Sequence, residues 1–458
     1  MKQILTLSIL LAMCHLASAA VHDVRDYGAK GDGVAIDSPA INAAIQSANS
    51  RGGGTVLVPS GVYRCYSIHM ASYVDLHLEK GACILAAFPG EGSYDLPEPN
   101  EFDMYQDFGH SHWHNSLLWG ENLVDITISG YGMFDGEGLK RVGEYQNDGG
   151  ANKLLALKNC RNVVISDVTL YRCAHFALLA TGVDNLAITG VKVDTDNDGF
   201  DIDCCRNVIV SGCMVNTAHD DAICLKSSYA LGRYKDTENV SVSGCNISGY
   251  AQGTVLDGTL GEVPEYDSEF RHKHSGRIKF GTESSGGFKN IAVTNCTMDY
   301  CGGILLESVD GGDLQDVVIS NITMRNNCDT PIFIRLGARM RSPQGREVGH
   351  IRRVLISDVN SFSARADFSN IISGIPGHCI EDVTLRNIHL NSKGGFPDTA
   401  KGALPPENET EYPDSHRFGV NPAKGFLIRH ARNITLDNVR FSFEAEDQRP
   451  LFVKADVD

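Results

Sequence analysis

Two short acidic stretches carry the residues best suited to chemistry: Asp196-Asn197-Asp198-Gly199-Phe200-Asp201, and Asp220-Asp221 followed by Ala222-Ile223-Cys224-Leu225-Lys226. Superposing Phe200-Asp201-Ile202 on Ile223-Cys224-Leu225 gives an offset of 23 residues, which sets Asp198 against Asp221 and Asn197 against Asp220. On neighbouring parallel strands, about 4.8 Å apart, three carboxylates would crowd one spot. They cannot all ionise cheaply, so at least one pKa should rise. A protonated carboxyl beside an ionised one is the acid and base pair that hydrolysis of a glycosidic bond requires. An isolated aspartate at a strand corner usually serves a local turn. Turn chemistry does not require like charges to be adjacent, so the stack of Asp198, Asp220 and Asp221 points to catalysis.

The elements that must hold this stack are repeated strands. From residue 122 a turn residue followed by alternating apolar positions recurs, at Asn122, Asn162, Asn185, Asn207, Asn239, Asn290, Asp316, Arg353, Asp382 and Asn433. The shortest intervals are 22, 23 and 26 residues, and the longer ones leave room for inserted loops. Such a period signals stacked rungs, and period-two alternation turns one set of side chains inward. The spacing therefore predicts an all-β, single-stranded right-handed parallel β-helix. Cys213, Cys245 and Cys296 each lie six residues after the repeat's asparagine, where other rungs place Val168, Val191, Ile322, Val359, Ile388 and Val439. They are expected to act as small core hydrophobes rather than metal ligands. Asp37 or Ser38, with Pro39 in the first turn, predicts a helix over 38–50 that caps the open end. Residues 55–59 read as a strand, and 391–424 as a long folded-over loop.

Composition sets outer limits. Lys2, the apolar run Ile4 to Leu11 and Ala17-Ser18-Ala19 read as a signal peptide over 1–19, cleaved near Ala19, so a secreted or periplasmic protein is expected. Residues 20–458 then form one domain, with 20–120 as N-terminal cap and first rungs and 121–443 as main rungs with loop insertions. The 40 basic and 57 acidic residues leave a charge of −17, which argues against nucleic acid or an anionic membrane as a partner held by bulk charge. No segment is long and apolar enough to suggest membrane insertion. Thirteen cysteines follow the signal, an odd number, with Cys65 and Cys83, or Cys301 and Cys328, as candidate disulfides.

Further candidates flank the acidic stack. Lys279, Glu307 and Arg335 are spaced 28 and 28 apart and continue an outward column from Asp203 and Lys226. The column reads either as a surface ion-pair ladder or as a cradle in which Arg277, Lys279 and Arg335 hold a sugar carboxylate. Asp201 and Glu307 are the acidic candidates for sugar contact. The segment His110-Ser111-His112-Trp113-His114 holds one of two tryptophans, and Trp113 is a candidate to stack on a sugar ring. Its three histidines lack the spacing of a zinc site. The insertion from Tyr250 to Ser275 carries Arg271, His272, Lys273 and His274. No metal and no cofactor are expected.

The motifs together resemble glycoside hydrolase family 28, the polygalacturonase-type enzymes. Tyr27-Gly28-Ala29-Lys30-Gly31-Asp32-Gly33, Gly52-Gly53-Gly54-Thr55-Val56, Leu78-Glu79-Lys80-Gly81-Ala82 and Gly130 to Gly136 are similar to its N-terminal part. Asp196 to Asp201 resembles its Asn-Thr-Asp-Gly-x-Asp motif, and Asp220-Asp221 its paired aspartates. The resemblance covers roughly residues 24 to 443 and implies hydrolysis of a pectic or similar uronic-acid polysaccharide by an inverting mechanism. It implies Asp220 as acid, with Asp198 and Asp221 activating water. One departure stands out. Gly276 lies near where the family's Gly-His-Gly places its histidine, and Arg277-Ile278-Lys279 reproduces the family's Arg-Ile-Lys one rung early. His274 and His219 are the nearest replacements. The rivals are a polysaccharide lyase on the same fold, with Lys or Arg as base, and a non-catalytic carbohydrate-binding β-helix.

Overall fold

The computed structural model describes residues 20–90, 92–107, 109–140, 149–263, 274–367, 369–397 and 403–458. The expected signal peptide lies outside them. Every pairing between strands is parallel, and the chain coils as a single right-handed β-helix. Each coil contributes to three faces. The face that concerns function runs through Ser116–Glu121, Lys153–Lys158, Phe176–Thr181, Asp198–Asp203, Ile223–Ser227, Ile278–Ser284, Ile304–Ser308 and Ile332–Leu336. Phe200, Ile202, Ile223, Leu225, Ile278 and Phe280 point into the common core, while Asp201, Cys224 and Lys279 alternate outward.

The turn residue of the repeat has a conformational reason. All ten of its positions, from Asn122 to Asn433, have φ between 51° and 60°. Asparagine and aspartate tolerate this left-handed region better than other side-chain-bearing residues. Stacking adds a second reason: each amide donates to the one below it, Asn185 to Asn162 at 2.8 Å, Asn207 to Asn185 at 2.9 Å, Asn239 to Asn207 at 3.1 Å and Asn290 to Asn239 at 2.8 Å. Arg353 keeps the register differently, donating to Asp316 at 2.7 Å.

The cysteine column is as the register requires. Cys213, Cys245 and Cys296 are buried and reduced, in line with Ile322, Val359, Ile388 and Val439. All thirteen described cysteines are free, so neither candidate disulfide forms. Cys65 pairs across rungs with Ala86, whereas Cys83 lies opposite Val62 and Met133. Cys328 turns its thiol to the His274 carbonyl, 3.4 Å away, instead of to Cys301.

The capping helix spans Ser38–Ser50 and buries Ile41, Ala44, Ile45 and Ala48 against the first rung. Asp37 precedes it without capping it. Its carboxylate instead accepts the backbone N–H groups of Lys30 and Gly31, at 2.7 and 3.0 Å, and so ties the entry turn to the helix. The expected strand is Gly54–Val58. The strand Ile380–Gly394 takes the first residues of the predicted long loop; among the described residues the remainder, apart from the 3-10 turn Ser415–Phe418, is irregular, and Glu407, Asn408 and Tyr412 bring it over the outward face described above.

Candidate functional site

The strand pairing sets Phe200 opposite Ile223 and Ile202 opposite Leu225, the superposition read from the sequence. The Gly199 N–H donates to the Asp221 carbonyl at 2.9 Å, so the two acidic turns lie one above the other. One carboxylate oxygen from each of Asp198, Asp220 and Asp221 falls within 4.8 Å of the others. Asp198 and Asp221 are buried and Asp220 is half-buried.

Their surroundings split them. Burial, then the charges of Asp220 and Asp201, push the Asp198 carboxyl well above the usual carboxylate range. Burial would raise Asp221 as well, but Arg277, Lys279 and Lys226 overcome it and hold that carboxyl down at about 2. The contacts are direct: Arg277 Nε donates to Asp221 Oδ1 at 2.6 Å, and Lys279 Nζ lies 3.3 Å from Oδ2. The group therefore contains a proton-retaining carboxyl and a fixed carboxylate.

Two pockets meet at this group. One, of about 270 Å³, has Asp198 and Asp221 on its floor, with His110, His175, Lys226 and Lys279 around them. The other, of about 370 Å³, is walled by His219, His274, Arg277, Asp329 and His416. Asp220 and Tyr412 are the residues that line both. Tyr412 comes from the long irregular segment and its hydroxyl is 3.2 Å from Lys279 Nζ.

Several other candidates take different places. Asp201 is fully buried and accepts from His110 Nε2 at 3.1 Å, so it orients a pocket residue from behind. Burial and Lys226 oppose charge on His110, but Glu283 and Asp201 outweigh them and raise this imidazole. His274 does line the second pocket; burial lowers its pKa to about 4, which keeps it neutral. Trp113 is not available to a sugar. It is 0% exposed, packs with Ala156, Phe176 and Leu179, and donates its Nε1 to Thr181 at 3.1 Å. Arg335 is also removed from the site: it is buried beneath the long segment and donates to Ser373 Oγ and to the carbonyls of Gly374, Glu407 and Asn408 at 2.7–3.0 Å. Glu307 is fully buried 3.9 Å from Lys279, and burial lifts its carboxyl to about 7. It borders neither pocket.

The outward column needs a correction in register. Asp203 does stand opposite Lys226, and Glu307 opposite Arg335. Lys279, however, stands opposite Cys224 and Leu305, one slot away. The length of chain between the two strands sets Lys279 there, in register with its neighbours; only after Phe280 does a register shift occur, and its extra residues bring Glu283 to Lys226 at 3.1 Å. Gly276 explains the absent histidine. Its φ is +80°, and a Cβ there would meet the Ser248 carbonyl at 2.8 Å and Cys301 at 2.9 Å. His110 and His175 stand in the first pocket instead, the latter 3.8 Å from Asp198 and stacked on Phe176. No periodic signal announced His175, Glu283 or Tyr412, while His110 was marked only by its histidine-rich segment. Arg271, His272 and Lys273 lie outside the described residues.

Known proteins resemble this chain in sequence and in fold. The family model "Glycosyl hydrolases family 28" matches residues 100–299, and "Rhamnogalacturonase A/epimerase, pectate lyase-like" matches residues 21–77. The exo-poly-alpha-D-galacturonosidase of Dickeya chrysanthemi is 22% identical over 370 residues, which cover 69% of this chain and 57% of that relative. A probable polygalacturonase of Arabidopsis thaliana is 24% identical over 81% of this chain and 78% of its own length. Among solved structures, the Yersinia enterocolitica family 28 exopolygalacturonase superposes with a TM-score of 0.65 at 16% identity, over 96% of this chain and 79% of the other. The Thermotoga maritima exopolygalacturonase gives 0.62 at 16% identity over 93% of each. These likenesses at low identity extend the fold over nearly the whole chain.

Proposed function

Because this chain is a divergent member of glycosyl hydrolases family 28, we propose that it is a secreted or periplasmic hydrolase that cuts glycosidic bonds in a pectic, uronic-acid-containing polysaccharide. The observation that carries this reading is the cluster of Asp198, Asp220 and Asp221 at the meeting point of two pockets.

The chemistry follows from their positions. The sugar whose anomeric carbon is attacked occupies the pocket floored by Asp198 and Asp221, and the leaving sugar occupies the other. Asp220, which borders both, stands at the bond between them. In the reactive arrangement the proton that burial and neighbouring charge retain at Asp198 passes to Asp220, which delivers it to the departing glycosidic oxygen. Asp198, whose burial raises its proton affinity, takes a proton from water as the water oxygen bonds to the anomeric carbon. Asp221, kept ionised by Arg277 and Lys279, holds that water in line. The carbon–oxygen bond breaks on the opposite face, so configuration inverts.

The lyase alternative needs an unprotonated lysine or arginine. Burial disfavours the charge on Lys279, but Asp221, Tyr412 and Glu307 more than compensate and raise its ammonium well above the ordinary lysine range. It is poorly placed to serve as a base. Incubation with a panel of pectic fragments separates the readings. Saturated products of inverted configuration, followed by NMR, support hydrolysis, whereas products absorbing in the ultraviolet would establish the lyase. No product from any fragment would leave a carbohydrate-binding role.

A further inference from the structure

The outward face on either side of the acidic cluster is roofed. Toward the N-terminal rungs, the register sets Phe176 beside Asp198, and Ala156 beside Leu179, which in turn stands beside Asp201. Ala156, Phe176 and Leu179 are fully buried, because Trp113 packs with them and the His110 ring lies 4.8 Å from the Phe176 ring. The segment that carries His110 and Trp113 is pinned. Glu98 accepts the N–H groups of Trp113 and His114 at 3.0 Å each. The Asp107 N–H donates to Glu283 at 3.0 Å, and the Asp107 carboxylate binds Arg339 at 3.3 Å and also Arg341. Toward the C-terminal rungs, Leu305 and Phe333 follow Lys279 in the same column. Phe418 packs with both, its ring 5.9 Å from that of Phe333. The pocket of Asp198 and Asp221 lies between these roofs, bordered by Asp107 and His110 of the first segment and by Tyr412 of the second. It continues past Asp220 and Tyr412 into the second pocket, where His219 and Asp220 are half-buried and the Arg417 side chain is 57% exposed.

We propose, resting on the hydrolase reading, that the first pocket seats a single sugar, the non-reducing terminus of the polymer, and that the enzyme releases sugars one at a time from that end. The attacked sugar turns its anomeric carbon toward the leaving sugar in the second pocket. A sugar preceding it in the chain would be joined through a hydroxyl on its other side, where Asp107, His110 and His175 stand. Making room there means lifting Trp113 and His110 from Ala156, Phe176 and Leu179, which exposes apolar surface and breaks the ties of Glu98 and Asp107. A terminal sugar needs no such room, and its free hydroxyls can hydrogen-bond the carboxylates and imidazoles of the wall. The polymer thus enters from the second pocket and ends at the wall, instead of lying lengthwise across the rungs. Each turnover adds one water. The terminal sugar leaves with a new anomeric hydroxyl, and the shortened chain keeps the bridging oxygen as a hydroxyl.

Product length at low conversion reads the wall directly. A pectic polymer that the enzyme cuts is digested briefly and its products are separated by length. A single sugar is expected as the first and main product. Oligosaccharides of mixed length as first products overturn the proposal. Long oligosaccharides of the same polymer, modified at one end, then identify the terminus. A benzyl ether on the non-reducing terminal sugar, at the hydroxyl that would carry a preceding sugar, is expected to lower kcat/KM about 100-fold or more. Borohydride reduction of the opposite end should change it less than about twofold. Equal rates on blocked and unblocked chains overturn the proposal, and so does a loss caused by reduction alone, which would put the other terminus in the pocket. If nothing is cut, the hydrolase reading is what fails. The closed pocket is then decided by saturation-transfer NMR with oligogalacturonides. Strongest saturation at the non-reducing terminal sugar upholds it, whereas saturation spread over internal sugars, or no binding, overturns it.

Discussion

Lys279 and Arg335 stand on the same outward face, two rungs apart, and both are buried cations, yet they serve opposite ends. Lys279 holds an acid in the pocket of Asp198 and Asp221, with its ammonium 3.3 Å from Asp221. Arg335 spends its donors on Ser373 and on the carbonyls of Gly374, Glu407 and Asn408. Arg429, one rung past Ser373, repeats the pattern with the carbonyls of Pro405 and Pro406 at 2.9 Å each. The upper stretch of this face meets open pockets, and the lower stretch meets the long irregular segment. A charged slot in a repeated fold has no intrinsic role; its role depends on what the chain lays over it.

Breaking the upper stretch should produce the largest effect. Asp220→Asn keeps the side chain's size but cannot deliver a proton, and turnover on a verified pectic substrate is expected to fall about 10²–10⁴-fold, with the circular dichroism spectrum unchanged. Asp198→Asn should behave similarly. Wild-type turnover in both would refute the catalytic assignment.

Glu307, at the boundary between the two stretches, should show itself in stability rather than rate. Its folded-state pKa of about 7 lies above the ordinary 4.5, so its favourable contribution is complete below about pH 4.5 and is lost as pH rises through 7. Integrated over that window, the loss is on the order of 3 kcal/mol. Glu307→Gln should flatten the difference, seen as a smaller fall in urea midpoint between pH 4.5 and 8 than in the wild type. Equal falls would show that this carboxyl does not titrate there.

Truncating the lower stretch should cost somewhat less. Arg335→Ala removes the hydrogen bonds to Ser373, Gly374, Glu407 and Asn408 and is expected to destabilise by about 2–3 kcal/mol, read from denaturant unfolding. Because the same segment carries Tyr412, KM should also rise, whereas Arg335→Lys should restore part of both. The smallest effect belongs to the core: Cys213, Cys245 and Cys296 should react slowly with a thiol reagent in the native protein and at ordinary rates in urea.

Much of the architecture was legible because repetition amplifies weak signals. One asparagine with alternating neighbours is ambiguous, but ten such turns at related spacing define the coil, its interior and the slot of Cys213, Cys245 and Cys296. The 23-residue offset that stacked Asp198 on Asp221 is the same signal read at one pair of rungs. It failed one rung later, where the length of the preceding insertion set Lys279 one slot out of the column and a register shift after Phe280 put Glu283 beside Lys226. A count from the repeat cannot reveal residues inserted within a strand.

By itself, the sequence determined the coil, the capping helix and the crowding of three aspartates, because these depend on periodicity, turn conformation and contacts between successive rungs. The tertiary structure alone decided that Trp113 is core, that Arg335 anchors a loop, and that His110 and Tyr412 border the pocket. Those placements depend on irregular segments folding back across the sheet. Contacts such as His110 with Asp201, 91 residues apart, and Lys279 with Tyr412, 133 apart, follow no period and leave no trace in local spacing.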